Sequence, residues 1–481
     1  MRLLFLLRSA VVLFLCWGSA LGAQASHSLG IDLTYEYAGT PASPNQYHVI
    51  IRQFRDPNSP VANQNVTLTC GKYECGTALP GSFTVFIART SDVPVPPGCT
   101  SSTLFGRYAI STFETLVQLP PASWTLSASL ENRSFGVVNV ANSETLTSFV
   151  KAELDNTTGL VNSSPRFTTN RLIQLTSTQG QQYYSLSAFD PEGDSLVYQL
   201  VQPLANPTAA APCGLPTVGA IAPHFQLNPV TGELLTWAGP AQIGRYALAA
   251  RVDEYRQVGG TWRKIGSIMR DMTYTVGVGA NQMPAFTRVA PTGRPTEQLL
   301  GQILRVNPGQ TLSLTLTATD PDAGQLLALS SEVAATVPGA TFQDLGNGQS
   351  RLTWPVPATQ PLGRYALTAT AMDNFCPTPG ATVVTLPILV TRQVLATQKG
   401  RLALVRLPYP TPFTEEVQFQ LGGTGKQAVR ITDELGRNVV QLLSAPDGTV
   451  VWRPAAGVQA GFYLARTLSG SQVARLSYSG Q

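Results

Sequence analysis

The residue types with most chemical promise are carboxylates gathered at turns. Asp190, Glu192 and Asp194 alternate in Asp190-Pro191-Glu192-Gly193-Asp194, and Asp253 and Glu254 close a later strand-like run. Asp320 and Asp322, with Asp373, repeat part of the arrangement. A hard cation such as calcium takes about six to eight oxygen ligands. The candidate calcium ligands are therefore Asp190, Glu192, Asp194, Asp253, Asp320 and Asp322. The opposing reading is that turn acids are solvated Asx acceptors for nearby backbone N–H groups. No other cofactor is expected.

Catalytic chemistry finds less support. A Ser-His-acid arrangement needs an oriented imidazole, and of the 3 histidines, His27, His48 and His224, none lies near a nucleophile elbow. Gly422, Gly423 and Gly425 sit between strand-like runs with no helix to follow, unlike a phosphate loop. A carboxylate pair for glycoside hydrolysis meets only in the fold, and charged residues are only 12% of the chain. No catalytic residue is expected, and the chain reads as a non-enzyme. Tyr183, Tyr184, Trp262 and Tyr274 offer rings for a glycan surface, against the alternative of core or cross-strand packing.

These side chains sit in a chain of 481 residues, 43% hydrophobic, with 42 glycines and 36 prolines. That length implies several domains. The formal charge is +4, to which Arg2 and Arg8 contribute two, leaving no excess to hold phosphate backbones. No nucleic acid partner is expected. Residues 1–25 combine two arginines, the apolar run Ala10–Trp17 and the small ending Ala23-Gln24-Ala25, the three-part pattern of a cleaved secretory signal. No later run is long enough to span a bilayer. The mature chain is expected outside the cell, where Cys70, Cys75, Cys99, Cys213 and Cys376 favour disulfides. Cys70 and Cys75 are near enough for a short loop, but spacing leaves the connectivity open.

Short alternating runs such as Ile31–Tyr35, Tyr47–Ile51 and Phe83–Ile87 predict strands, and no long amphipathic helix is indicated. Three motifs recur in order. Ala188-Phe189-Asp190-Pro191-Glu192 is echoed by Ala318-Thr319-Asp320-Pro321-Asp322, Leu235-Thr236-Trp237 by Leu352-Thr353-Trp354, and Gly244-Arg245-Tyr246-Ala247-Leu248 by Gly363-Arg364-Tyr365-Ala366-Leu367. Two copies of one module follow. Alternation at Tyr246, Leu248, Ala250 and Val252 predicts one buried face, and Trp237 and Trp354 are each expected to anchor a core. The predicted fold is all-β: a 26–160 N-terminal β domain, Ig-like/cadherin-like antiparallel sandwiches at 165–279 and 283–393, and a small C-terminal sandwich at 400–481.

The last segment resembles the C-terminal sorting domain of the type IX secretion system of gram-negative bacteria. The matching residues are Tyr409, Pro410, Pro412 and Phe413, then Asp433, Gly436 and Arg437, then Gly461 and Tyr463, with Arg475-Leu476 near the end. Thr411 stands where the family usually has Asn. The remainder resembles gliding-motility-associated surface proteins through Asp32–Tyr37, Arg52–Asp56, Asn162-Ser163-Ser164-Pro165 and Asp190–Tyr198; Pro57 replaces the family's cysteine. The joins Asn162–Phe167 and Asn281–Phe286 are similar to cadherin linkers but lack the linker aspartates. These resemblances imply Sec export, outer-membrane translocation by the type IX machinery, an extracellular or cell-surface location, and surface polysaccharide or other surface proteins as partners. The expected function is structural or adhesive. The alternatives are a carbohydrate-binding surface module and, behind it, a surface hydrolase.

Overall fold

The computed structural model describes residues 28–57, 64–74, 77–78, 80–95, 108–177, 180–206, 216–237, 241–279, 281–292, 298–376, 379–392, 404–423, 425–468 and 472–480. The leader, His27, Cys16, Cys75, Cys99 and Cys213 lie outside them.

The second repeat shows most simply how alternation becomes a sandwich. In Thr311–Thr319 the residues Leu312, Leu314, Leu316 and Ala318 are buried, and each intervening residue is partly or fully exposed. That strand lies in a four-stranded sheet with Ala285–Pro291, Gln349–Pro355 and Thr341–Gly346. A second four-stranded sheet, in the order Leu304–Val306, Ala381–Val390, Gly363–Met372, Ala328–Ser330, closes the core around Leu314, Trp354, Leu367 and Leu386. Two inner faces of alternating residues packed together are the physical definition of a β-sandwich.

The first repeat follows the same strand order. Gln174–Thr176, Thr261–Gly277, Gly244–Val258 and Ser195–Val201 form one sheet path, and Tyr183–Ser185, Glu233–Thr236 and Phe225–Leu227 form the facing sheet. Its large sheet does not stop at the join near residue 162. Seven N-terminal strands run in the order Ser28–Tyr37, Gln46–Arg55, Tyr108–Gln118, Phe83–Val95, Asn65–Gly71, Ser123–Leu130, Ser148–Asp155. Both end strands of this series then bond to Thr261–Gly277. Leu154 and Glu153 pair with Gly266 and Ser267, and Gly30, Ile31 and Asp32 pair with Met272, Asp271 and Arg270. Open sheet edges expose unpaired backbone groups; here one strand of the next module covers two of them.

Charge reinforces that pairing. Arg270 and Asp271 are adjacent, so their side chains leave opposite faces of the strand, and both are buried. Arg270 donates from Nε (2.9 Å) and Nη2 (2.5 Å) to Asp32 Oδ2, from Nη1 to Thr169 O (2.6 Å) and from Nη2 to Asn170 Oδ1 (2.9 Å). Its guanidinium also lies over the Phe167 ring, 4.0 Å from the centroid. On the other face Asp271 accepts from Arg133 Nη1 (2.9 Å) and Nη2 (2.5 Å), while Arg133 also donates to Thr147 O and Leu204 O.

Three expectations change. The strand Gly244–Val258 is buried on both faces, because Val137 and Val140 of the N-terminal segment pack on Ala247 while Tyr246, Leu248 and Ala250 enter the module core. Trp354 is fully buried against Phe189 and Tyr365, whereas Trp237 is 55% exposed. The cause is strand length: Gln349–Pro355 contains its tryptophan, but Glu233–Thr236 ends one residue before it. The glycine of the repeated Gly-Arg-Tyr motif serves more than a chain reversal at Gly363, where a Cβ would sit 2.5 Å from Gly193 O. Gly193 in turn has φ +77° and would place a Cβ 2.6 Å from Tyr365 Oη. The two repeats therefore touch backbone to backbone at this point, and they meet again farther along the same strand pair at the Ser185–Thr385 hydroxyl contact (2.8 Å).

The C-terminal residues form a separate sandwich of three plus four strands around Phe413, Val417, Phe419, Ile431, Trp452 and Tyr463. Among the described residues helix is confined to Ser143–Thr145 and Val333–Thr336, and no helix is long and apolar enough to cross a membrane.

Two stability measurements follow from this packing. Trp354→Ala is expected to cost about 3–5 kcal/mol in urea denaturation, whereas Trp237→Ala is expected to stay within about 0.5 kcal/mol; equal losses would refute the assigned burial. Arg270→Met takes from the buried Asp32 carboxylate its hydrogen-bonded guanidinium, leaving Arg52 Nη1 at 3.6 Å, and is expected to cost about 3–5 kcal/mol, most of which Arg270→Met with Asp32→Leu should recover. A double variant as unstable as the single would show that the ion pair is not what joins the two segments.

Candidate metal centre at the first join

The turn Asp190–Asp194 is shaped by its own first residue. Asp190 Oδ1 accepts from the Asp194 N–H at 2.8 Å, and Asp190 O accepts from Gly193 N at 3.4 Å. This closes the loop and turns Asp194 toward the strand Gly244–Val258. There Arg256 grips Asp194 with both arms, Nε to Oδ1 at 2.7 Å and Nη2 to Oδ2 at 2.5 Å. Its remaining donors go to Val161 O (2.7 Å) and Asn162 Oδ1 (2.5 Å). Asn162 Nδ2 passes the connection on to Glu254 Oε2 at 3.0 Å, and Ser163 N donates to Glu192 Oε1 at 3.2 Å. The crossing segment 161–163 is thus bound by the turn and by the strand.

Asp190, Asp194 and Glu254 each present a carboxylate oxygen within 4.8 Å of the others, and all three side chains are buried. Glu254 fits because its cross-strand partner is Gly266, where a Cβ would lie 2.5 Å from Glu254 Oε2 and 2.7 Å from Tyr35 Oη. Three oxygens of the group, Asp190 Oδ2, Glu192 Oε2 and Glu254 Oε1, receive no hydrogen bond. Burial, followed by the charges of Asp194 and Glu192, pushes the Asp190 carboxyl well above its usual range. Burial and then Asp190 do the same to Glu254, and burial raises Glu192 against the pull of Arg256.

The other candidate acids are placed elsewhere. Asp253, one residue from Glu254, takes the opposite face of the strand, where Lys264 Nζ lies 2.8 Å from Oδ1 and Arg251 Nη2 3.0 Å from Oδ2. Glu153 shares Lys264 and also binds Lys151; despite its burial these cations hold it at about 2. Asp320 and Asp322 belong to the second join, which repeats the asparagine bridge with different partners. Asn281 Nδ2 donates to Asp373 Oδ2 (2.8 Å), Gln325 Nε2 donates to Asn281 Oδ1 (2.7 Å), and Gln282 N donates to Asp322 Oδ2 (2.8 Å). Asp373 Oδ1 accepts from the N–H groups of Phe375 and Gly380, both at 2.9 Å. Asp322 is half-buried, and backbone and side-chain donation by Gln282 lowers its pKa.

The residues that the candidate ligands missed are Glu254 and Asn162 here, and Arg270, Asp271 and Arg133 in the fold. Glu254 stands next to Asp253 and Asn162 opens the join, and for Arg270 and Asp271 the available signal was charge set among apolar neighbours, in Ile268-Met269-Arg270-Asp271-Met272.

His48 pairs with Glu114 at 3.1 Å on the N-terminal sheet. His224 Nδ1 lies 2.8 Å from Tyr274 Oη, its ring packs edge-on against Tyr246, and burial lowers its pKa. Of the four aromatic candidates, Tyr184 and Tyr274 are buried and Trp262 is half-buried, with the Arg437 guanidinium 5.2 Å from its ring centroid. Tyr183 is 39% exposed. Cys70 is a buried free thiol, pushed up to about 12 by burial, so it forms no loop with Cys75; Cys376 is disulfide-bonded.

In the C-terminal sandwich the matched residues divide by role. Phe413 and Tyr463 are core, whereas Tyr409 is 79% exposed. Asp433 organises a turn: Oδ1 accepts from Leu435 N (3.0 Å) and Arg437 N (2.9 Å), Oδ2 accepts from Arg437 Nε (2.6 Å), and Gly436 has φ +83°. Gly461 opens the strand that carries Tyr463. Pro410 and Pro412 follow cis peptide bonds.

The acid cluster makes stability depend on pH. Asp190, Glu192, Asp194 and Glu254 face one another, with Arg256, Tyr35 and Tyr365 around them. Ordinary Asp and Glu carboxyls ionise near 3.8 and 4.5. Between those values and the raised native ones, the folded chain keeps protons that the unfolded chain has lost. Stability from this cluster therefore falls as pH rises through that window and levels off above it. In buffer freed of divalent cations, Asp190→Asn or Glu254→Gln should flatten the fall and raise the neutral-pH melting temperature. Melting curves across pH that retain the wild-type slope in both variants would refute the assignment.

No protein family matches the chain, and neither does any curated protein. Solved structures similar to it include a chimeric titin Z1Z2-Z1Z2 tandem functionalised with a GRGDS peptide from fibronectin, at TM-score 0.17 and 14% identity over 47% of this chain and 100% of that one. Zebrafish RET cadherin-like domains 1 to 4 match at TM-score 0.16 and 12% identity, over 81% of this chain and 93% of that one. The paired Ig domains of DIP-gamma match at TM-score 0.15 and 10% identity, over 42% and 98%. At such scores they carry no argument about activity or partners.

Proposed function

We propose that this chain is a modular structural or adhesion protein of the cell surface, exported through the type IX system by way of its C-terminal domain. The observation that carries the structural reading is the sharing of Thr261–Gly277 between the N-terminal series and the first repeat. Two modules built on one strand, with buried ion pairs on both its faces, resist bending at their join, which suits a spacer that holds a distal surface away from its anchor. The backbone contact at Gly193 and Gly363 extends that stiffness to the second repeat. The C-terminal sandwich is compact in itself and carries the sorting motif partly on its surface, as an export tag requires. Surface polysaccharide and other surface proteins are the proposed partners, and the role is non-catalytic.

A second reading is carbohydrate binding on the small sheet of the first repeat. Tyr183 pairs with Leu235, and Trp237 lies two residues farther along the same strand direction, so two exposed rings share that face. Binding on a glycan array that is lost with Trp237→Ala would favour it.

The export reading is tested by fractionation and surface proteolysis of cells making the full chain or one lacking residues 400–481, in a host with type IX machinery. The full chain should be protease-accessible from outside, and the truncated chain should remain in the periplasm. A truncated chain that still reaches the exterior would overturn the reading.

A further inference from the structure

We propose that Asp190, Asp194 and Glu254, with Glu192 beside them, bind one hard divalent cation, calcium, at the first join, and that the second join binds none. This does not depend on the route of export or on adhesion.

The argument starts from unmet demand. Asp190 Oδ2 and Glu254 Oε1 belong to side chains that are 1% and 0% exposed, and neither oxygen receives a hydrogen bond. A buried carboxylate without a donor is costly unless a proton or a cation neutralises it. Four carboxylates meet here against one guanidinium, and Arg256 directs its donors at Asp194, Asn162 and Val161, not at Asp190 or Glu254. The available ligands are all oxygens, with no imidazole or thiolate in the group. Such a set selects calcium or magnesium over zinc or copper, and several carboxylates in place of water favour calcium over magnesium.

The second join supplies the internal control. Its asparagine is bridged by the Gln325 amide, and Asp373 accepts three hydrogen bonds, from Asn281, Phe375 and Gly380. Asp322 is half-buried and occupied by Gln282. Asp320 Oδ2 and the amide oxygen Gln325 Oε1 lack a donor there, both on side chains that are not fully buried, and only the first belongs to a carboxylate. One carboxylate oxygen is left bare at the second join, on a half-exposed side chain, against three at the first, two of them on fully buried side chains.

Calcium alone, titrated calorimetrically into the full chain after chelator treatment, should bind at one equivalent and raise the melting temperature by several degrees. Terbium in place of calcium should give luminescence excited through tyrosine, because Tyr35 Oη adjoins Glu254. Asp190→Asn and Glu254→Gln should each weaken calcium binding at least tenfold, and Asp322→Asn should leave affinity and stoichiometry unchanged. The first two variants, once freed of metal, should melt at or above the metal-free wild type, which separates lost binding from lost folding. No heat and no thermal shift in the wild type would overturn the proposal. So would two equivalents with one lost in Asp322→Asn, or metal-free Asp190→Asn and Glu254→Gln chains less stable than the metal-free wild type.

Discussion

Arg270 and Asp271 stand side by side on one strand, and alternation sends them to opposite faces, each toward a partner more than a hundred residues earlier in the chain. Such pairs add little net stability over an apolar replacement, because both charges lose their water. They do make alternatives expensive. A shift of the strand by one residue would send Arg270 toward Arg133 and Asp271 toward Asp32, burying like charges on both faces. The register of Thr261–Gly277 against Ser28–Tyr37 is therefore set by electrostatics as well as by apolar burial, and the rest of the N-terminal series hangs from that register.

The acid cluster inherits its geometry from the same strand pairing. Glu254 reaches Asp190 because Gly266 lies opposite and leaves the space that Glu254 and Tyr35 share. The register shift between Glu254 and Tyr255 follows at once, so the last residues of the hairpin pair with different neighbours. Arg256, beyond the shift, comes back to the crossing segment at Asn162. One irregular position thus separates a face that gathers acids from a tip that supplies their counter-ion.

Much of the architecture is legible in the residue pattern. Strand alternation gave the all-β class, and the repeated motifs correspond to one strand order in both modules. What escaped the sequence depends on long-range pairing. Asp253 and Glu254 are equivalent as letters, and only register decides which of them faces Asp190 and which faces Lys264. Trp237 and Trp354 share a motif, but the strand that should bury Trp237 ends at Thr236, and no local pattern marks where pairing stops. The burial of Ala247 on the supposed outer face depends on Val137 and Val140, from a segment outside the repeat. Asn162 and Asn281 occupy matching positions, and their difference lies in whether an arginine or a glutamine completes the bridge.

The C-terminal module shows why a motif and a recognition surface are different things. Asp433 accepts two backbone N–H groups and the Arg437 side chain, while Gly436 supplies a positive φ; these residues recur wherever that turn must form, whatever reads it. Phe413 and Tyr463 meet Trp452 in the core, so the fold itself accounts for them. A partner that distinguishes this module from any other small sandwich has to contact what the fold does not consume. Leu407 and Tyr409 answer that description, being apolar, 77% and 79% exposed, and placed on the edge strand Arg406–Tyr409. Under the proposed export reading, substitutions at this edge would change recognition without changing stability, whereas substitutions in the turn or the core would act through folding first.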